Sequence, residues 1–270
     1  MIPKIIHYCW ISDDPKPELV KHCMATWKKH LPDYEFILWD ARRISEEINN
    51  TFVDEAISVR KWAFAADYVR CFAVYKYGGI YLDTDVEVLQ SFDDFLNDKM
   101  FIGQECIAYY LRGMSYKYTR LTSHCFGAVS GHPFMIQCLD YYKDRKFILS
   151  PNKNLPDSMR FDQTLLPMIH TLLLQNYGYN IQAYYYNKEQ ALSEGIRVYP
   201  SYYFDIPKGF YVKKKIYCIH QCMGGWRDVK LNNKPKDYRT WQLWCGRIMS
   251  ILNFIPHKFG LEIGISFVKW

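Results

Sequence analysis

Asp83 and Asp85 stand one residue apart in the stretch "AADYVRCFAVYKYGGIYLDTDVEVL", residues 65 to 89, where their neighbours are mostly apolar. If "IYLDTDVEVL" is a strand, side chains alternate faces, and the two acids point the same way with Thr84 opposite. Two converging carboxylates repel each other unless a cation or an added proton relieves them. A divalent cation bound by oxygen ligands, with phosphate oxygens completing its shell, is the economical arrangement. A bare D-x-D is short and common, and alone it reads as a hydrated strand end. Its context adds to it, because Asp67 and Arg70 lie three residues apart on one face of the preceding helical stretch, and Gly78-Gly79 leads straight into the acids. As a surface ion pair Asp67 and Arg70 would contribute at most ~1 kcal/mol. Brought with Asp83 and Asp85 to the carboxyl edge of a sheet, they would form a ligand pocket.

Two other segments carry candidate chemistry. In "IYCIHQCMGGW", residues 216 to 226, His220 sits on a strand-like run between Cys218 and Cys222. The paired C-x-x-C spacing is missing and alternation gives no tetrahedral set, so zinc is discounted there. Gly224 and Gly225 would admit a phosphate close to the backbone, or simply make a tight turn. In "FDQTLL", residues 161 to 166, Asp162 and Gln163 open an expected helix, where an acid favours the helix dipole.

The elements that must hold these residues alternate. "PKIIHYCWI" reads as a buried strand, residues 17 to 30 as a helix, and "YEFILWD" as a strand ending at Asp40. Helices are expected from Ile44 to Asn49 and from Val59 to Tyr77, the second with Trp62, Ala66, Val69 and Ala73 at helical spacing and the glycine pair as its stop. "IYLDTDVEVL", "MFIGQE", "HCFGAVSG", "IRVYPSYYF" and "KKKIYCIHQC" follow as strands, "PFMIQCLDYYKD" and "FDQTLLPMIHTLLLQN" as helices, and residues 148 to 160 as a loop. This is an α/β pattern with a largely parallel sheet. The chain has no internal repeat or interdomain linker, so residues 1–226 read as one domain and residues 227–270 as a basic, aromatic, helical extension.

At 270 residues, 49% hydrophobic and 23% charged, the chain is globular rather than disordered. Nine scattered Cys make an odd number with no dense framework, and "MIPKIIHYCWI" shows no charged segment followed by a signal-like apolar run. Both point to a reducing cytoplasm, and no apolar stretch approaches the length that spans a bilayer. Of the net charge of +6, +5 lies between Arg227 and Trp270, where eight Lys and Arg face three Asp and Glu. Trp241, Trp244, Ile248, Ile251 and Ile255 form a stripe in that region. The stripe either docks on the domain or, with its basic neighbours, faces an anionic membrane surface.

The 65–89 stretch resembles the central motif of glycosyltransferase family 32, which includes fungal Golgi mannosyltransferases and bacterial capsule and lipopolysaccharide enzymes, and the same region of the large glucosylating toxins. "IPKIIHYCW" is similar to the family's first strand. The resemblance implies the A-type glycosyltransferase fold, a nucleotide-sugar donor with UDP-sugars first and GDP-mannose also open, Mn2+ or Mg2+, and retention of anomeric configuration. It implies Asp85 as direct metal ligand, Asp83 on the donor ribose and the metal shell, Asp67 and Arg70 on the donor sugar and phosphates, and Trp10 beside the base. A late "H…W" segment would supply His220 as the remaining metal ligand and Trp226 as a cover over the sugar or pyrophosphate. Asp162 or Gln163 would stand beside the anomeric carbon. The acceptor would be a glycan, lipid-linked as in capsule or lipopolysaccharide assembly, at the inner face of a bacterial cytoplasmic membrane, and no nucleic-acid partner is expected. The rival classes are a metal-dependent nuclease or phosphodiesterase, which would need more acids sharing two metals, and a non-catalytic nucleotide-sugar-binding protein, which would have no need of intact Asp83, Asp85 and His220.

Overall fold

The structure, a computed structural model, describes residues 1–105, 120–205, 209–223 and 263–266. The chain opens with β1 (Ile5–Cys9), α1 (Glu18–His30) and β2 (Glu35–Trp39), and β2 pairs parallel to β1. Two short helices follow, α2 (Ala41–Glu47) and α3 (Thr51–Ser58). Each has a side chain on its first turn: Asp40 accepts the Arg43 N–H at 2.8 Å, and Asn50 accepts the Val53 N–H at 3.2 Å. The expected helix over 44–49 is therefore shifted toward the N-terminus, and the second helix, started by Asn50, went unread. The long helix α4 (Trp62–Tyr77) then delivers the chain to β3 (Gly79–Leu82), which lies parallel to β1.

The strand expected over "IYLDTDVEVL" is two strands with a turn between them. β3 stops at Leu82, and Asp83 to Asp85 form a turn closed by the Val86 N–H on the Asp83 carbonyl at 3.0 Å. β4 (Val86–Val88) then leaves the main sheet. Acids favour turns for a local reason, their short side chains bonding nearby backbone, and that preference overrides the alternation read from the sequence. Asp83 and Asp85 converge, but by turn geometry rather than by strand period.

Beyond it run β5 (Met100–Gln104), β6 (Leu121–Ala128), α5 (Pro133–Tyr141), the one-turn α6 (Asp157–Arg160) and α7 (Leu166–Leu174). Then come β7 (Gln190–Ala191), β8 (Ile196–Tyr199), β9 (Gly209–Val212), β10 (Cys218–His220) and β11 (Ile263–Ser266). The seven-stranded sheet has the order β2-β1-β3-β6-β5-β8-β7. β1, β2, β3, β5 and β8 share one direction, and β6 and β7 oppose it. The sheet is thus the mixed, mostly parallel one expected.

Alternate residues of the central strands feed two cores. Tyr81, Met100, Ile102 and Phe126 pack with α4, α5 and α7, whereas Ile80, Leu82, Phe101 and Cys125 pack on the other face with Trp27 of α1. Helix α7 begins at Leu166, after an extended Leu165, with Pro167 in its first turn, where a missing N–H costs no helical hydrogen bond. Asp162 and Gln163 therefore lie in the irregular segment ahead of the helix, not at its start.

The α4–β3 joint is the tightest point of the fold. Gly78 has φ +67° and Gly79 φ +104°, and a Cβ on Gly79 would lie 2.7 Å from the Ile5 carbonyl oxygen. Beneath it, buried His7 donates Nε2–H to the Gly78 carbonyl at 2.8 Å and accepts the Trp39 indole N–H on Nδ1 at 3.2 Å. Of the extension after residue 226, the structure describes 263–266, a strand rather than a helix, paired antiparallel with β9. Trp226, Gly224, Gly225 and the 238–255 stripe lie outside the described residues. No described helix is long and apolar enough to cross a membrane.

Candidate active site

The site is assembled by two short antiparallel strands. β4, which begins just after the D-x-D turn, pairs with β10, and Val86 lies opposite His220. That pairing, together with the turn, brings donor atoms of Asp83, Asp85 and His220 within 4.8 Å of one another. His220 Nε2 lies 3.3 Å from Asp85 Oδ1, and the Met223 N–H donates to Asp85 Oδ2 at 2.9 Å. Burial pushes the Asp85 carboxyl up, but the His220 hydrogen bond and charge and the Met223 N–H outweigh it and hold the carboxyl at about 2. Burial likewise works against charge on His220, yet Asp85 and Cys222 keep its ring well above the ordinary imidazole value. A proton between His220 and Asp85 does in this arrangement what a bound cation would do.

Behind the turn sits Arg70. All three guanidinium nitrogens are engaged: Nε to the Ala66 carbonyl at 3.2 Å, one terminal nitrogen to the Ser123 carbonyl at 2.7 Å and Asp83 Oδ2 at 3.4 Å, and the other to Asp83 Oδ1 and Asp67 Oδ1, both at 3.2 Å. The guanidinium also lies over the Tyr81 ring, 4.6 Å from its centre, and the Tyr81 hydroxyl donates to Asp83 Oδ1 at 2.9 Å. With its side chain 6% exposed, Arg70 holds Asp83 from within the protein. It is not the exposed surface ion pair that the spacing alone allows. Asp67 accepts the Leu166 N–H at the start of α7; burial pushes its carboxyl up to about 7 despite the pull of Arg70. That bond ties the Asp162–Leu165 segment to the pocket's rear wall.

Other expected residues are placed less closely. Trp10 follows β1 at the carboxyl edge of the sheet, its indole N–H on the Asp14 carbonyl at 3.0 Å and Lys16 over its ring. Asp162 accepts from the Thr164 backbone and hydroxyl at 3.1 and 2.7 Å, with Arg145 at 3.7 Å, so its carboxylate is committed locally. Gln163 is half-buried in the same segment. Cys218 is buried with its thiol on the Phe204 carbonyl, whereas Cys222 is exposed, 3.5 Å from His220 Nδ1.

The sequence reading missed His124 of β6. Its carbonyl accepts the Asp83 N–H at 2.9 Å, its ring stacks on His220 with centres 4.2 Å apart, and its Nε2–H donates to the Phe204 carbonyl. Burial first, and then the His220 charge, pushes the ring down to about 4, so it stays neutral beside its charged neighbour. One residue thus contacts both arms of the cluster, and buried Asp205 completes a second grouping with the two histidines. "SHCFG" carries no local signal for this, since the contacts depend on strand order.

The donor set of two carboxylates and one imidazole fits a divalent cation of the Mn2+ kind, the imidazole suiting Mg2+ less well. Residues 17–102, which contain Asp67, Arg70, Asp83 and Asp85, match the family described as "Glycosyltransferase sugar-binding region containing DXD motif". This part of the chain is therefore similar to the DXD region of glycosyltransferases, within the mixed α/β architecture the resemblance implied, and the resemblance is borne out. Among the relatives, inositol phosphoceramide mannosyltransferase 3 of Schizosaccharomyces pombe is 31% identical over 50% of this chain and 36% of its own. Mannosyl phosphorylinositol ceramide synthase CSH1 of Saccharomyces cerevisiae is 30% identical over 55% of this chain and 38% of its own. This chain spans less than two-fifths of either relative. A solved structure titled "PaToxG Glycosyltransferase" superposes with a TM-score of 0.45 at 20% identity, covering 65% of this chain and 68% of that one.

Proposed function

We propose that this protein is a metal-dependent, retaining glycosyltransferase that moves a hexose from a nucleotide diphosphate sugar to a glycan or lipid-linked acceptor. The observation that carries the reading is the convergence of Asp83, Asp85 and His220, from two distant parts of the chain, within 4.8 Å at the D-x-D turn. Asp85 and His220 would hold the cation, with Asp83 on its shell and on the donor ribose. When bound, the cation neutralises charge developing on the departing pyrophosphate.

The protein's own groups do the positioning. Arg70 and Tyr81 fix the Asp83 carboxylate, and His124 fixes the Asp83 backbone and the His220 ring. Asp67 anchors the segment that presents Gln163. Because Asp162 is committed to Thr164 and Arg145, Gln163 is the better candidate for contact with donor hydroxyls. Cation binding would displace the proton shared by His220 and Asp85. A nuclease would need further acids around a second metal, and among the described residues none of the metal-competent groupings contains more than two.

Release of nucleoside diphosphate from a panel of nucleotide sugars tests this. GDP-mannose joins the UDP-sugars at the head of the panel, because both relatives described are named for mannosyl transfer to, or synthesis of, phosphoinositol ceramides. Peripheral attachment of the basic 227–270 extension to an anionic cytoplasmic membrane face is part of the same reading, supported by the +5 charge it carries.

A further inference from the structure

Next to Arg70 along α4, three donor side chains from three helices meet in the core. Cys71 comes from α4, Cys138 from α5 and His170 from α7, and all are fully buried. Their ligand atoms lie within 4.8 Å of one another, and Cys71 Sγ is 3.9 Å from His170 Nε2. A tetrahedral zinc, with Zn–S about 2.3 Å and Zn–N about 2.0–2.1 Å, has donor–donor edges of roughly 3.5–3.8 Å. The grouping needs only slight contraction to reach them.

Three details point to a ligand rather than to thiols packed by chance. The His170 Nδ1 faces the Thr122 carbonyl at 3.3 Å. A carbonyl only accepts, so Nδ1 carries the proton and the Nε2 lone pair is aimed at Cys71. Metal-bound histidines are oriented in this way, by a backbone acceptor on the far nitrogen. The rings of Phe126 and Phe134 pack against His170, with centres 5.3 and 5.5 Å away, and fix its plane. The Tyr142 hydroxyl is buried without a hydrogen-bond partner, one helical turn beyond Cys138 at the C-terminal end of α5. It is an orphaned polar atom beside this cluster.

We propose that Cys71, Cys138 and His170 bind a structural zinc ion that pins α4 to α5 and α7, with the Tyr142 hydroxyl beside its fourth position. Binding releases two thiol protons to solvent and involves no redox change. Two thiolates then balance Zn2+, leaving a neutral centre in a dry core, where Cu+ would leave a net negative charge. The two cation sites are sorted by chemistry: thiolate and imidazole for zinc, carboxylates with one imidazole for the harder Mn2+. The staple lies one residue from Arg70, so it would also stiffen the helix that holds Asp83.

The full chain, incubated with Zn2+ and freed of excess by gel filtration, should retain one zinc per chain by elemental analysis, and Co2+ in its place should give a thiolate-to-cobalt charge-transfer band. Asp85→Ala/His220→Ala should keep both signals, and Cys71→Ser/Cys138→Ser should lose both. The proposal is overturned if the folded wild type retains no zinc and shows no charge-transfer band. It is also overturned if the signals follow Asp85 and His220, or if the denatured protein titrates two thiols short of its nine because Cys71 and Cys138 form a disulfide. Should the double Ser variant fail to fold, the wild type and the Asp85→Ala/His220→Ala variant decide the matter between them. None of these readouts depends on glycosyl transfer.

Discussion

Replacing Arg70 by Lys keeps the charge and removes the fork. Arg70 makes five polar contacts from three nitrogens, to Ala66, Ser123, Asp67 and both oxygens of Asp83. A lysine ammonium has three donors on one atom. It cannot reach back to the Ala66 carbonyl while spanning Asp67, Asp83 and the Ser123 carbonyl. At least two charge-assisted bonds are lost, each contributing about 1.5 kcal/mol, so the expected cost is about 3 kcal/mol. That lies at the low end of what breaking a buried pair costs, as it should with one charge retained. For a chain of this size, about 3 kcal/mol corresponds to a fall in Tm of roughly 6–12 °C. Scanning calorimetry reads the stability. Metal-dependent release of nucleoside diphosphate, assayed well below Tm, reads the loosened Asp83, with turnover expected to fall at least tenfold. A variant that melts within about 2 °C of wild type and turns over within twofold would refute the claim that the fork holds Asp83 in place.

Other consequences concern the scaffold. Gly79→Ala puts a Cβ 2.7 Å from the Ile5 carbonyl at φ +104° and should cost about 3 kcal/mol or more; an unchanged urea midpoint would count against it. Burial, aided by Arg43, lowers His7 from 6.5 to about 4 despite the Gly78 bond and Glu47. Below pH 6.5 the unfolded chain therefore takes up the proton first, and stability that is full above that pH is lost as it falls toward 4, by ~3 kcal/mol for this residue. His7→Gln should flatten the pH dependence of stability between 6.5 and 4 relative to wild type, and identical slopes would show that His7 is not the group responsible. Anionic liposomes should co-sediment the full chain at low salt but not a truncation after Trp226; equal binding by both would assign the extension a purely structural role.

How far the residues spoke for themselves depended on the distance over which they act. Asp67, Arg70, Gly78, Gly79, Asp83 and Asp85 are close in sequence, so their convergence could be read from a helix, a stop and a short return. Even there the period misled, because Asp83 to Asp85 obey the turn preference of short acids and not the alternation of a strand. Local details caused the other slips: Asn50 starts a helix the apolar pattern hid, and α7 begins only at Leu166, past Asp162. His220 stood out in its own segment, but its role as a metal ligand came only from the resemblance, and the β4–β10 pairing that brings it to Asp85 is set by the sheet. His124 and the Cys71, Cys138 and His170 grouping had no comparable signal, since each depends on elements that meet only after folding.

The account rests on Asp85 and His220 holding a divalent cation for a nucleotide-sugar donor. The most direct measurement is Mn2+ binding by electron paramagnetic resonance, with and without nucleoside diphosphate, in wild type, Asp85→Ala and His220→Ala. Wild type should bind one Mn2+ at this site, more tightly with the nucleotide present. Asp85→Ala should lose that binding while its circular dichroism is unchanged, and His220→Ala should weaken metal and nucleotide together. Undiminished Mn2+ binding in both variants would contradict the assignment of the D-x-D turn and β10 as a metal-dependent donor site.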